Sequence, residues 1–206
     1  MSSVVKITDR NELEEFARTH LAHRLTAMTA PICFPETAPP WVGRNDAYRS
    51  AKEGSYSMVR TFIEFLGIGS KKDATGALVL DVAYGWPDSI LIDAFDKFGT
   101  QKVHPSQFGG DGLFIAEIHR TLCKINSHFT YDQTQGAFYD RIASPDDDTK
   151  WTRAVNIVIQ KLDEYFYSVV GEPITVHLHL EEPFRARFVS SLGLKSPVRG
   201  DGLGRP

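Results

Sequence analysis

Two histidines separated by one residue, His177 and His179, have the residue type and spacing of metal ligands. They lie in the segment GEPITVHLHLEEPF, in which apolar and polar residues alternate as in a β-strand. Because side chains alternate across a strand, both imidazoles and the Glu181 carboxylate are expected on one face, opposite an apolar face. Such a ligand set suits a divalent ion such as zinc, iron or manganese. The alternative, which we favour, is a strand whose solvated face happens to carry histidines.

The same segment loosely resembles the first motif of the cupin family, in which a glycine precedes the paired histidines by the distance from Gly171 to His177. The glutamate of that family comes later than Glu181, and its second histidine motif has no counterpart here. The predicted helix content is also too high for a β-barrel. The sequence therefore does not predict a cupin fold.

A second segment that could bind a cofactor is LVLDVAYGWPDS, in which a predicted strand is followed by a turn and a predicted helix. It resembles the first motif of class I methyltransferases, where an acidic residue ends a strand and a turn of small residues approaches the cofactor. The resemblance implies S-adenosylmethionine as cofactor, bound near Asp81, Ala83 and Gly85. Pro87 replaces the last glycine of that motif. A strand that turns into a proline-started helix needs no ligand, and we favour this interpretation.

Three further groups of residues that could take part in binding or catalysis lie on predicted helices. His20 and His23 are three positions apart and are expected to be solvated or partly buried. Arg24 falls within the apolar stripe of the same helix, where its guanidinium is expected to extend past the core. His119 and Cys123 are four positions apart among apolar neighbours, which makes Cys123 a small core residue in this interpretation.

The elements that position these residues follow from the hydrophobic pattern. We predict a single α+β domain over residues 1–195, predominantly helical with about five helices and a small sheet. Prolines predict an extended loop over Thr29–Arg44, and residues 196–206 are predicted to form a Gly/Pro-rich C-terminal extension without an element. The predicted helices run from Asp9 to Met28, Asp46 to Leu66, Pro87 to Phe98, onward from Asp111, and Asp148 to Val169, and the predicted strands cover Gly76 to Val82 and the segment after Pro173.

Composition and charge exclude several classes of protein. The chain has 206 residues, of which 42% are hydrophobic and 24% charged, as expected of a globular domain. A formal net charge of -3 provides no field that attracts nucleic acid or anionic membranes. No apolar run has membrane-spanning length, so we expect a cytoplasmic protein. Its two cysteines are expected to be reduced.

The recognisable features of the sequence concern packing, so it favours a non-enzymatic protein-binding or assembly protein. Its partner would be another protein or a second copy, giving a homo-oligomer. The proline-rich segment Thr29–Arg44 and the C-terminal extension are the candidate docking surfaces. The alternatives are a metal-dependent enzyme that uses His177 and His179, or a divergent S-adenosylmethionine-dependent methyltransferase that uses the Asp81–Gly85 turn.

Overall fold

Helices dominate the computed structural model, which describes residues 5–33, 44–83, 89–127, 131–132, 137–138, 145–177 and 192–200. This confirms the predicted α+β, mainly helical architecture. Across these ranges no helix has the length and apolar character needed to cross a membrane. The α-helices are α1 (Arg10–Glu15), α2 (Ala22–Cys33), α3 (Arg44–Phe65), α4 (Gly112–Ser127), α5 (Pro145–Leu162) and α6 (Ser168–Val170). The strands are β1 (Ile68–Lys72), β2 (Leu78–Val82), β3 (Tyr131–Asp132), β4 (Ala137–Phe138), β5 (Ile174–Val176) and β6 (Val198–Gly200).

The first helical run consists of α1, a π-helical turn at Phe16–Leu21, and α2. Asp9 caps its start as predicted, because its carboxylate accepts hydrogen bonds from the backbone N–H groups of Asn11 and Glu12. The π-helical turn was not predicted. Turns of this type widen the helix by one residue and are frequent at functional sites.

The end of the first helical run differs from the prediction of an extended loop over Thr29–Arg44. Helix α2 continues through Pro31, so the prediction is wrong over residues 29–33, while 34–43 lie outside the described residues. A proline at position 31 removes the backbone donor that would bond the Ala27 carbonyl of the helix. The adjacent Met28 carbonyl accepts a hydrogen bond from the Ser55 hydroxyl of α3 at 2.6 Å, which attaches this part of α2 to α3.

A two-stranded antiparallel hairpin follows α3. The helix stops at Gly67 as predicted, in a left-handed conformation with φ of 83°. Strand β1, which was not predicted, then pairs with β2 in the register Ile68↔Val82 to Lys72↔Leu78. The prediction of a strand at 76–82 is confirmed over Leu78–Val82, but the strand is half-buried rather than buried. Among the described residues it has one neighbouring strand, and α4 packs against the hairpin.

Residues 87 and 88 of the predicted α-helix between Pro87 and Phe98 lie outside the described residues, and the rest of it differs from the prediction. Residues 89–91 are not helical, and a 3-10 helix covers Ile92–Phe98, ending at Gly99 with φ of 93°. Phe95 has non-helical backbone angles and its side chain is fully buried. Burial of this ring therefore accompanies a break in the regular helix. A second 3-10 segment, Pro105–Asp111, leads into α4.

Four phenylalanines from different elements meet at the centre of the molecule. Phe16 lies 4.9 Å from Phe95 between ring centroids, and Phe166 lies 5.3 Å from Phe95 and 5.6 Å from Phe65. Four of the six pairs among these rings are edge-to-face, which is a favourable geometry for aromatic rings. The aromatic cluster thus joins the first helical run, α3, the 3-10 helix and the last long helix.

The last long helix is the predicted Asp148 to Val169 helix, with one change. Helix α5 passes into a π-helical turn at Asp163–Tyr167 and then into α6. The extra residue shifts the helical phase, and Val169, at the end of the predicted helix, is 42% exposed.

Strands β5 and β6 pair in parallel after this helix, with Ile174 opposite Val198. The prediction that residues 196–206 add no element is therefore wrong at Val198–Gly200. The buried Asp163 carboxylate holds the approach to β6, because it accepts backbone N–H bonds from Lys195 at 2.5 Å and Ser196 at 3.0 Å. The remaining residues of the predicted extension, 201–206, lie outside the described part of the chain.

This anchor can be tested by replacing Asp163. We expect Asp163→Ala to lower the free energy of unfolding by about 2–4 kcal/mol, because one buried and one part-buried backbone donor lose their acceptor. Glu53→Ala, on an exposed site of α3, is the control and is expected to change stability by less than about 0.5 kcal/mol. Urea unfolding followed by circular dichroism measures both. Equal stability of the two variants would contradict this role of Asp163.

Candidate functional site

The predicted metal ligands lie only partly within the described residues. His177 directly follows β5; it is half-buried, and its backbone N–H donates to the Thr26 hydroxyl at 2.7 Å. Thr175 was predicted on the same solvated face but is 1% exposed, because this strand is buried on both sides. The expectation of a solvated face is therefore wrong at Thr175. His179 and Glu181 lie outside the described residues, so the metal site at these three residues stays a prediction.

The predicted S-adenosylmethionine turn starts within the β1–β2 hairpin. Asp81 forms an ion pair with Lys71 at 3.0 Å, and this contact lowers the pKa of Asp81. The Ala83 N–H donates to the Gly67 carbonyl at 2.8 Å, and Gly85 lies outside the described residues. The resemblance to methyltransferases implies a parallel sheet, whereas β2 pairs antiparallel with β1. Cofactor binding at Asp81, Ala83 and Gly85 stays a prediction.

The two histidines of the first helical run are exposed, as predicted. Arg24 is half-exposed, and its Nη1 donates to the His20 carbonyl at 3.0 Å. In the described part of the chain, His20 and His23 belong to no group of three or more side chains that could bind a metal ion together.

A different set of residues forms a cluster with the composition of a metal site. Glu64, His119 and Cys123 each offer one ligand atom, and these atoms lie within 4.8 Å of one another. Glu64 comes from the last turns of α3, whereas His119 and Cys123 lie one turn apart on α4. The sequence identified the His119 and Cys123 pair, but it gave no signal for Glu64. Its position depends on the packing of α3 against α4.

The distances within the cluster place the His119 ring at its centre. Its Nε2 is 3.4 Å from Glu64 Oε1, and its Nδ1 is 2.9 Å from Ser70 Oγ. The Cys123 Sγ lies 3.8 Å from Nε2 and 3.9 Å from Nδ1. Arg60 also holds the carboxylate, since its Nε donates to the same oxygen, Glu64 Oε1, at 2.8 Å. Every polar atom of the imidazole therefore has a neighbour that restricts the ring.

These contacts change the proton affinities of the three groups. Burial lowers the pKa of His119, but the contacts with Cys123 and Glu64 outweigh it and raise this pKa to about 9. The His119 hydrogen bond lowers the pKa of the Cys123 thiol, and the same imidazole lowers the pKa of the Glu64 carboxyl. At neutral pH and without a metal ion, the cluster thus holds a protonated imidazole beside a carboxylate and a thiol of raised acidity.

Two kinds of chemistry need cysteine beside histidine, and the geometry favours metal ligation over nucleophilic catalysis. A nucleophile and its base require a directed hydrogen bond between the sulfur and one ring nitrogen. Here Cys123 Sγ is almost equidistant from both nitrogens of His119, and Ser70 already contacts Nδ1. In a tetrahedral zinc site, bonds of about 2.0–2.3 Å place neighbouring ligand atoms about 3.3–3.8 Å apart. The 3.4 Å and 3.8 Å separations from Nε2 agree with that spacing.

Comparison of the chain with protein-family models, curated protein sequences and solved structures found no match in any of the three. Function is therefore argued from the geometry and chemistry of the cluster itself.

The raised pKa of His119 predicts a pH-dependent contribution to stability in metal-free protein. The unfolded histidine has a pKa of about 6.5, so this contribution is fully present below about pH 6.5. It is lost as the pH rises through the folded value of about 9. We expect the stability difference between wild type and His119→Gln to shrink by an amount on the order of 2 kcal/mol across that range.

Urea unfolding in the presence of a chelator, at several pH values, measures this difference. His23→Gln, which changes an exposed histidine, is the control for effects of histidine removal elsewhere. A difference between wild type and His119→Gln that does not depend on pH would contradict the proposed proton affinity of His119.

Proposed function

We propose that this protein binds one zinc ion through Glu64, His119 and Cys123. The observation that carries the proposal is the convergence of a carboxylate, an imidazole and a thiol from two helices within 4.8 Å. Two of the three ligands come from consecutive turns of α4, whose backbone fixes their spacing. The third comes from α3, so binding of the ion would also link two helices of the core.

The donor set supports zinc over the hard divalent cations. Magnesium and calcium prefer oxygen ligands, whereas thiolate and imidazole suit zinc and other borderline or soft transition metals. The lowered pKa of Cys123 favours the thiolate that a metal requires. The carboxylate and thiolate together also balance the two charges of the ion.

Neighbouring side chains support the ligands in the manner typical of metal sites. A ligating histidine usually donates its other ring N–H to an acceptor, which fixes the tautomer. The Ser70 hydroxyl, 2.9 Å from Nδ1, can accept that hydrogen bond and leave the Nε2 lone pair for the ion. Arg60 orients the Glu64 carboxylate by donating to Oε1, the oxygen that also lies 3.4 Å from His119 Nε2. A carboxylate oxygen has two lone-pair sites, so Oε1 can accept this bond and still offer a lone pair to the ion.

Three protein ligands are typical of catalytic rather than structural zinc sites, in which the fourth position takes water or substrate. A zinc ion bound in this way supplies Lewis-acid chemistry, such as polarisation of a carbonyl group or of water. We therefore infer that a metal-assisted reaction is the enzymatic activity to test first. The ion would need a neutral His119, so binding would release the proton that this ring holds in metal-free protein.

The protein-binding or assembly role favoured by the sequence stays a prediction. Residues 34–43 of the proline-rich segment and 201–206 of the C-terminal extension lie outside the described ranges. The described parts of both segments are helix α2 and strand β6, which pack within the fold. No described contact identifies a partner for either segment.

Replacement of the ligands tests the zinc proposal. We expect the purified wild-type protein to bind one equivalent of zinc, measured by elemental analysis and by titration of metal-free protein. Cys123→Ser and His119→Gln are each expected to weaken binding by at least about 100-fold, because three-ligand sites depend on every ligand. Glu64→Gln is expected to weaken it less, since an amide oxygen remains.

The matched controls are Cys33→Ser, which changes the other cysteine, and His104→Gln, which changes an exposed histidine. Both are expected to keep wild-type affinity for zinc. Zinc should also protect Cys123 from alkylation by iodoacetamide, since coordination uses the sulfur lone pairs. Alkylation of Cys123 at the same rate with and without zinc would show that the thiol is not a ligand.

The supporting role of Ser70 gives a separate prediction. We expect Ser70→Ala to weaken zinc binding by about 10- to 100-fold, the usual effect of removing a partner of a ligating histidine. Ser57→Ala, a half-buried serine on α3, is the control and should not change zinc affinity. Competition with a chromophoric chelator measures both. Unchanged affinity in Ser70→Ala would remove Ser70 from the proposed site.

A further inference from the structure

A cleft of about 320 Å³ lies between the first helical run, α3 and residues 89–91. Its lining is mostly apolar, with Phe16, Phe65 and Ile90 among the contributors. Two charged residues, Arg24 and Glu64, are also among the described residues of the lining. We refer to it as the Arg24 cleft. Its volume falls near the lower limit of small-molecule sites, which span about 300–1000 Å³, and therefore suits a small metabolite.

Unlike Arg10, Arg18 and Arg60, Arg24 has no carboxylate partner among the described residues. Arg10 and Arg18 both pair with the buried Glu172, and Arg60 pairs with Glu64. Arg24 instead donates from Nη1 to the His20 carbonyl at 3.0 Å. A guanidinium has five N–H donors, so most of its donors stay available to a ligand.

The position of Arg24 beside apolar walls determines which ligand would bind. A guanidinium recognises a carboxylate through two parallel hydrogen bonds, and these are stronger where water is excluded. The phenylalanine and isoleucine side chains of the cleft offer contact to an apolar body, as in most small-molecule sites. A ligand with a carboxylate at one end and an apolar group at the other satisfies both parts.

The described lining limits the number of negative charges on that ligand. It contains one cationic residue, Arg24, and one acidic residue, Glu64, whose carboxylate pairs with Arg60 at 2.8 Å. A second carboxylate on the ligand would therefore lose its hydration without gaining a cationic partner in this lining. We propose that the Arg24 cleft binds small monocarboxylates with an apolar body, with Arg24 holding the carboxylate.

The cleft adjoins the proposed zinc centre because Glu64 belongs to both. Zinc binding should therefore change the affinity for a monocarboxylate, and the monocarboxylate should change the affinity for zinc by the same factor. This coupling rests on the proposed function, whereas binding to Arg24 does not.

Phenylacetate is a suitable probe, with phenylacetamide as its neutral counterpart and adipate as a dicarboxylate. We expect calorimetric titration to show that phenylacetate binds more tightly than either. Arg24→Gln should weaken phenylacetate binding by about tenfold or more, and Arg24→Lys should weaken it less, because lysine keeps the charge but loses the bidentate geometry. Arg120→Gln, an exposed arginine on α4, is the matched control and should bind like wild type.

Each titration is run on metal-free and on zinc-loaded protein. NMR chemical-shift changes of the Ile90 methyl groups then show whether the probe binds in the cleft. Arg24-dependent binding in metal-free protein supports the cleft even if the protein binds no zinc. Arg24-dependent binding that is identical with bound zinc overturns the coupling alone. Equal affinity in wild type and Arg24→Gln, or no change at Ile90, overturns the proposal, and circular dichroism of the Arg24 variants confirms that they are folded.

Discussion

The contact that the described architecture depends on most is the meeting of four phenylalanine rings, Phe16, Phe65, Phe95 and Phe166. Each ring belongs to a different element, and burial of large aromatic side chains is among the most stabilising contributions to a core. Phe65 directly follows Glu64 in the sequence. When its ring packs into the centre, the backbone of the last turn of α3 is fixed, and the preceding carboxylate is directed toward α4 and the edge of the core.

The helical periodicity of the sequence was sufficient to predict most of the fold, because the long helices present continuous apolar stripes. Helix α3 and its end at Gly67 were predicted closely. The π-helical turns were not, since a single extra residue leaves no clear signature in an apolar pattern. Strand β1, with the sequence IGSKK, has too few apolar residues to be recognised without its partner β2.

The candidate site was only half predictable for a related reason. His119 and Cys123 are separated by one helical turn, so their proximity follows from local geometry alone. Glu64 and Ser70 reach the same ring from segments about fifty residues earlier, and this requires the packing of α4 on both α3 and β1. The sequence assigned Cys123 to the core because its neighbours are apolar, yet the structure leaves the thiol half-exposed.

The left-handed turn at Gly67 has a consequence for the two groups that flank the His119 imidazole. Any side chain at this position would require an unfavourable φ of 83° and would bring its Cβ within 2.9 Å of Lys102 Cγ. The turn is also the pivot between Glu64, on the helix before it, and Ser70, on the strand after it. A change in its angle would move the carboxylate and the hydroxyl away from the two ring nitrogens together, so both of these contacts of the imidazole depend on a single backbone conformation.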